Sequence, residues 1–234
     1  MKIIEKNFES WNEEMVRKYN PENYHKNPNF IIRFIENKRV KGIINFLTLG
    51  HSDRIIDLGC GAGNIMERIK IGGELTGVDL SDYLLGLAKK KSYFVPVKFV
   101  RSNIENLPKE ITDFKFDKIY CSEVLEHLET PQNALKEIKK IAKKDSIIVI
   151  SIPNEKLINK IKKILQKLKI FDLFFPNISK KMDDEWHLYS FDLAKLEKML
   201  KYDYIIEKTK GIPFGILPLR YVIKAKINES KENI

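Results

Sequence analysis

Cysteine is nearly missing from this chain. Two thiols, Cys60 and Cys121, stand among 234 residues, too few for the disulfide framework that staples small secreted domains. Both fall at expected strand ends and read as small buried hydrophobes. Long apolar runs are missing too: no stretch approaches the roughly 18 apolar residues that cross a bilayer, and no secretory signal pattern is present. The expected location is therefore the cytoplasm. There is no internal repeat and no low-complexity tract, which argues against solenoids and disordered linkers. No recognisable RNA-binding module is found.

What is present suits one domain with extra elements, since 43% of the residues are hydrophobic, enough for a substantial core. The net charge is +10, from 42 basic and 32 acidic residues. The lysines are scattered along expected helices rather than massed in a block, which reads as a solvated surface of the kind heat-adapted proteins carry. An anionic membrane or a nucleic acid is the other reading of such a balance.

The chain is organised around RIIDLGCGAGNIM, residues 54–66. Ile55, Ile56 and Leu58 make a short buried strand. Gly59, Gly61 and Gly63 follow as a turn that lets a ligand approach the backbone. Ile65, Met66 and Ile69 then lie on one side of an expected helix, with Glu67, Arg68 and Lys70 on the other. Strand, glycine turn and helix form the first half of a nucleotide-binding βαβ unit, and Asp57 sits at the strand's end. About 20 residues on, LTGVDLS puts Asp79 at the end of a second apolar run, where an acid receives ribose hydroxyls. Asn64 stands where the third glycine of G-x-G-x-x-G belongs, so a dinucleotide site is the weaker match.

These residues resemble motif I (IDLGCGAGN) and motif II (TGVDLS) of the class I S-adenosylmethionine-dependent methyltransferases. RSNIENLP resembles the family's third motif, with Asn103 at the position usually held by an acid. The resemblance is specific over about residues 50–152. It implies an α/β, Rossmann-like three-layer sandwich with a seven-stranded, mostly parallel sheet whose last strand is antiparallel. It implies S-adenosylmethionine as the methyl donor. Gly59, Cys60, Gly61 and Gly63 would accommodate the methionine tail near Asp57, and Asp79 would hold the ribose. Leu80, Asn103 and Ile104 would surround the adenine, and Cys121 and Ser122 would close the floor.

The fourth strand, FDKIYCS, leads into SEVLEHLETP. Glu123, Glu126 and His127 are spaced i, i+3 and i+4, which on a helix spans an arc of roughly 100°. Two carboxylates and an imidazole facing one way provide a general base or bind a divalent metal. E-x-x-E-H resembles the metal-ligating pattern of ubiquinone-biosynthesis O-methyltransferases and of small-RNA 2′-O-methyltransferases. In the RNA enzymes a later histidine completes the site, and here His187 stands in that place. The expected ion is Mg²⁺ or Mn²⁺, and the same pattern without a metal shapes the pocket of ordinary small-molecule methyltransferases.

Residues 1–50 are expected to form a helical arm over the cofactor site, with helices over 9–18 and 30–49. Tyr19, Tyr24, His25 and Arg33 are its candidates for facing the pocket. Residues 51–234 form the methyltransferase domain, with a helical lid inserted at about 155–190. The lid's first part, 155–175, is amphipathic. Leu157, Ile158, Ile161, Ile164, Leu165 and Leu168 mark one face, and lysines interleave with them, as in a helix that lies in a membrane interface. Strands are expected over 202–209 and 219–227, with GIPFGILP too proline-rich for a tight hairpin. The expected activity is methyl transfer to a small-molecule or lipid-like acceptor, at oxygen. The alternatives are an RNA methyltransferase and a non-catalytic S-adenosylmethionine-binding module.

Overall fold

The computed structural model describes residues 7–20, 22, 26–175 and 185–229. Tyr24, His25 and residues 176–184 of the expected lid lie outside them. Two helices lead in, α1 (Phe8–Tyr19) and α2 (Phe30–Leu47), each capped by an asparagine: Asn7 Oδ1 accepts from Ser10 N, and Asn29 Oδ1 from Ile31 N and Ile32 N. The sheet strands are β1 (Arg54–Leu58), β2 (Glu74–Asp79), β3 (Val97–Arg101), β4 (Phe116–Ser122), β5 (Ala142–Pro153), β6 (Tyr204–Phe214) and β7 (Leu217–Ile227). Between them lie α3 (Asp82–Ala88), α4 (Lys109–Thr112), α5 (Pro131–Ile141), α6 (Glu155–Lys167), α7 (Phe171–Phe174) and α8 (Leu193–Leu200).

The sheet order is β3-β2-β1-β4-β5-β7-β6. β1 to β5 pair in parallel, and β7 runs antiparallel to both β5 and β6. This is the expected seven-stranded Rossmann-like sandwich. Side chains alternate across it. Ile56, Leu58, Ile119, Cys121, Ile148 and Ile150 pack on one face against α5 and α8. Ile55, Tyr120 and Val149 pack on the other against Val40, Ile43 and Leu47 of α2. Strand order reverses between β1 and β4, and a crevice opens at the carboxyl ends there.

Three local expectations are corrected. The glycine turn does not open a helix: Met66–Arg68 is a single 3₁₀ turn. Gly73 N–H donates to Asp53 O, where the chain has already returned to the sheet, and the intervening segment carries only that one turn. Likewise Glu123, Glu126 and His127 do not share a helix face. Glu123 has φ 56, and only Leu125–His127 turns, as 3₁₀. Finally, β6 and β7 do form a tight hairpin, pairing Phe214 with Leu217 around Gly215 and Ile216. Pro213 and Pro218 face each other across it, next to a register shift, so neither proline breaks a regular ladder. No described helix is long and apolar enough to cross a membrane.

Candidate active site

The glycine turn is fastened to β2 by its backbone. Gly59 N–H and Cys60 N–H both donate to Val78 O, at 2.8 and 2.9 Å. Gly59 has φ +79, and a Cβ there would lie 2.3 Å from Val124 Cγ2, so the position excludes any side chain. Gly63 also has positive φ, but its free side abuts Tyr93 Oη and Ala88; it serves packing behind the turn. Asp79 ends β2 beneath the turn. Its Oδ2 accepts from Gly61 N–H at 2.7 Å and its Oδ1 from Ser81 N–H at 2.9 Å. Burial pushes its carboxyl above the usual range, and those N–H groups hold it back. Burial lifts Asp57 much further; the Tyr120 hydroxyl beside it opposes that, and the Asp79 charge adds to it.

A cavity of about 390 Å³ runs along these groups, within the range of small-molecule sites. Asp57, Gly59, Cys60, Gly61, Asp79, Leu80, Asn103, Ile104 and Ser122 line it, as do Glu123, Glu126, His127 and His187. Of the cofactor and metal candidates singled out in the sequence, Gly63 and Cys121 are not in its lining. The correction for Cys121 follows from strand parity. Ser122 faces the crevice, so Cys121 points through the sheet into the core against α5 and α8. Asn103 Oδ1 is spent on Glu105 N–H at 2.9 Å, leaving its amide nitrogen as the group to offer a ligand. From the arm, Tyr19 stacks on Trp186 and Arg33 donates to Asn27 O, both outside the lining.

Sequence reasoning missed Glu13, Arg39, Glu155 and Arg220. Glu13 of α1 accepts from Ser81 Oγ at 2.6 Å, which draws the arm onto the end of β2. Arg39 of α2 is buried, pairs with Glu36 and donates to Ser122 Oγ. Burial works against its cation, but the charges of Glu36 and Glu123 outweigh that. Arg220 enters from β7 with Nε 2.9 Å from Glu123 Oε2, and Ser151 Oγ donates to Glu123 Oε1 at 3.0 Å. The one usable signal was chemical: Arg39 is a cation on a face otherwise filled by Ile35, Ile43 and Leu47.

The other end of the cavity gathers acid and imidazole. Glu126, His127 and His187 bring ligand atoms within 4.8 Å of one another, and Glu123 stands apart from them, paired with Arg220. The 185–189 segment is pinned over this point, because Leu188 N–H and Tyr189 N–H donate to Glu126 O at 2.8 and 3.1 Å. His187 Nδ1 lies 2.9 Å from Glu155 Oε1, and His127 Nδ1 lies 3.3 Å from Trp186 O. Both contacts favour the proton on Nδ1 and leave Nε2 with its lone pair. Glu126 is 1% exposed and its Oε2 meets no partner among the described residues. Burial, with the Glu123 charge, pushes its carboxyl up to about 8. Burial, with His187, holds His127 down to about 3, so that ring is neutral. Ile158, Ile161 and Leu165 of α6, with Phe171 and Phe175, line the same end with apolar surface.

Residues 49–209 match a family profile described as a methyltransferase domain. A ubiquinone biosynthesis O-methyltransferase of Glaesserella parasuis serovar 5 is 33% identical over 107 residues, 43% of this chain and 45% of that protein. One from Coxiella burnetii is 32% identical over 126 residues, 53% of each. The chain spans about half the length of the curated relatives it matches. The structure of magnesium protoporphyrin IX methyltransferase from Synechocystis PCC 6803 with bound S-adenosylhomocysteine superposes with TM-score 0.67 at 16% identity. It covers 95% of this chain and 100% of that one, and at that identity it speaks for the fold. The cavity therefore lies where the sheet order, the family profile and the solved fold agree, and the chain belongs to the class I S-adenosylmethionine-dependent methyltransferases.

Proposed function

We propose that the chain methylates an oxygen of a small, lipid-like acceptor. One observation carries this reading: a single cavity joins the Asp79 end to a buried cluster of one carboxyl and two imidazoles beneath the apolar face of α6. The relatives named for ubiquinone biosynthesis are O-methyltransferases, which favours oxygen. Bound S-adenosylmethionine supplies a methyl group already activated by its sulfonium. Asp79 keeps lone pairs for ribose hydroxyls beyond its two N–H contacts. Leu80 and Ile104 flank the adenine, and the amide of Asn103 donates to its edge. Gly59, Cys60 and Gly61 let the methionine tail close on Asp57, and the buried Arg39 guanidinium suits its carboxylate. The described part of the arm, within residues 7–50, covers this donor, and the described residues from 51 to 229 form the domain, with the lid beginning at Glu155.

At the far end His187 Nε2 takes the acceptor's proton, and Glu155 on Nδ1 stabilises the imidazolium that forms. Glu126 and the neutral His127 orient the acceptor oxygen, and the apolar roof keeps water out. The test is transfer of labelled methyl groups into fractionated cell extract. Label in the lipid fraction as an O-methyl group is expected; label confined to RNA rejects the reading, and so does none at all.

A second reading is favoured by the orphaned Glu126 oxygen. Glu126, His127 and His187 form a donor set of one carboxyl and two imidazoles, which, with the carboxyl ionised and both rings deprotonated at one nitrogen, would suit a divalent ion such as Mg²⁺ or Mn²⁺. Such an ion would lower the pKa of an acceptor hydroxyl. Chelation should then lower activity and Mg²⁺ or Mn²⁺ restore it; full activity in protein shown metal-free by elemental analysis rejects this. For the lid, exposed Ile164, Leu168 and Leu173 beside Lys160, Lys163 and Lys167 support peripheral membrane contact through 155–175.

A further inference from the structure

Two elements that line the cavity also carry exposed apolar side chains. On α2, Ile32 and Ile35 line the cavity while Phe30 is 68% exposed one turn outside it. On the β6–β7 hairpin, Leu219 and Arg220 line the cavity while Phe214 is 53% exposed and Ile216, at the turn, 97%. The two elements form one patch. Phe34 bridges them, with ring centroids 6.0 Å from Phe30 and 6.0 Å from Phe214. A turn normally presents polar residues, and large apolar groups gathered in one patch mark an interaction surface.

Charge identifies the occupant. Lys38 and Lys41 of α2 and Lys208 and Lys210 of β6 are exposed, and no ion pair of theirs occurs among the described residues. The acids on the same elements are already committed: Glu36 to Arg39, and Glu207 to Lys224 and Lys226. Lys38 Nζ lies 5.4 Å from the Phe34 ring centroid, an apolar stem and aromatic face with a charge at the rim. Apolar rings with Lys38 at their rim, and further exposed lysines without ion pairs on the same two elements, match an anionic bilayer.

We infer that the α2 start and the β6–β7 hairpin tip form a membrane-docking surface for anionic lipid, separate from α6 and on the rim of the same cavity. This deepens the acceptor reading above and rests on it: an acceptor held in the bilayer would enter the cavity edge-on, without crossing water. Docking itself needs no acceptor, so the two fail separately.

The experiment is co-sedimentation of the full chain with vesicles of phosphatidylcholine alone or with phosphatidylglycerol added. The variant is Phe30→Glu with Ile216→Glu, both at exposed sites where folding is not at risk. Calorimetry with S-adenosylhomocysteine should find the same affinity in both proteins. The wild type should prefer the anionic vesicles, and the variant should bind them at least about tenfold more weakly. Equal binding by variant and wild type overturns the inference, even where Leu168→Glu with Leu173→Glu abolishes binding through α6. No binding by the wild type overturns it as well. A concentration-dependent dimer in sedimentation velocity, broken by the same double variant, assigns the patch to a second copy and also overturns it.

Discussion

Asp79 shows how one carboxylate both builds the site and remains available to it. It fixes the glycine turn through Gly61 N–H and the start of α3 through Ser81 N–H. Asp79→Ala should therefore abolish S-adenosylhomocysteine binding in calorimetry while circular dichroism stays that of the folded protein; unchanged affinity would remove it from the site. Gly59→Ala should be comparably damaging for a steric reason, since the new methyl meets Val124 inside van der Waals contact at a positive φ. Soluble variant that binds the cofactor as tightly as wild type would refute that. Glu126 makes a pH prediction. Its folded carboxyl titrates near 8 against an ordinary 4.5, so between those values the folded state holds a proton that the unfolded chain releases. Stability contributed this way is present at low pH and declines as pH rises toward 8. Glu126→Gln removes the dependence, so in chelator its melting temperature should gain on wild type from pH 5 to 8, by on the order of 5 °C at the upper end. His127 falls outside that comparison, being a loss common to both proteins as pH drops below 6.5 toward 3. A gap constant with pH would show that Glu126 is not protonated. That Asp57, Asp79, Gly59 and Gly61 come together at one cavity was legible in the sequence because their placement is local, set by neighbours within a few residues. Arg39, Glu155 and Arg220 were not, because each acquires its partner only through packing.

Helix α3 illustrates a device that the sequence displays openly. Ser81 stands immediately before Asp82–Ala88, and its Oγ accepts from Leu84 N–H at 3.1 Å. The same hydroxyl donates to Glu13, so one side chain both caps a helix and ties down the arm. Ser81→Ala should cost about 1 kcal/mol in the helix cap, read as a lower melting temperature; loss of the Glu13 tie should also weaken cofactor binding. Unchanged stability would mean that the cap is redundant. Elements that depend on distant chain were harder to read. Ile65, Met66 and Ile69 have helical spacing, yet all three are buried against the sheet from a single 3₁₀ turn before the chain rejoins it at Gly73. The spacing of Glu123, Glu126 and His127 suggested one face, but a left-handed Glu123 turns its carboxylate toward Arg220 and Ser151. Such backbone strain at a non-glycine residue beside a cavity is typical of functional sites. The prolines of β6 and β7 looked like hairpin breakers because their pairing opposite one another is a property of register, which composition does not carry.

At the scale of the whole molecule, the cavity is a meeting point rather than a segment. α1 and α2 supply one wall, and the carboxyl ends of β1, β2, β4 and β5 supply the floor. β7, although antiparallel, supplies Arg220 because its register sets that residue opposite Pro153. Both apolar faces of the sheet run beneath this floor, and α2 of the arm shares one of those two cores with the sheet. A ligand that bridges these parts must therefore stabilise them together. Binding at a hundred times its dissociation constant adds about 2.7 kcal/mol to the folded state, and for a domain of this size each kcal/mol moves the midpoint by about 2–4 °C. S-adenosylhomocysteine at that concentration should raise the melting temperature by about 5–10 °C in a single transition, with near- and far-ultraviolet dichroism moving as one. Two transitions, with only one of them responding to the ligand, would mean that the arm folds apart from the sheet. The cavity wall formed by Val16 and Arg39 would then be a docked contact and not a built part of the site.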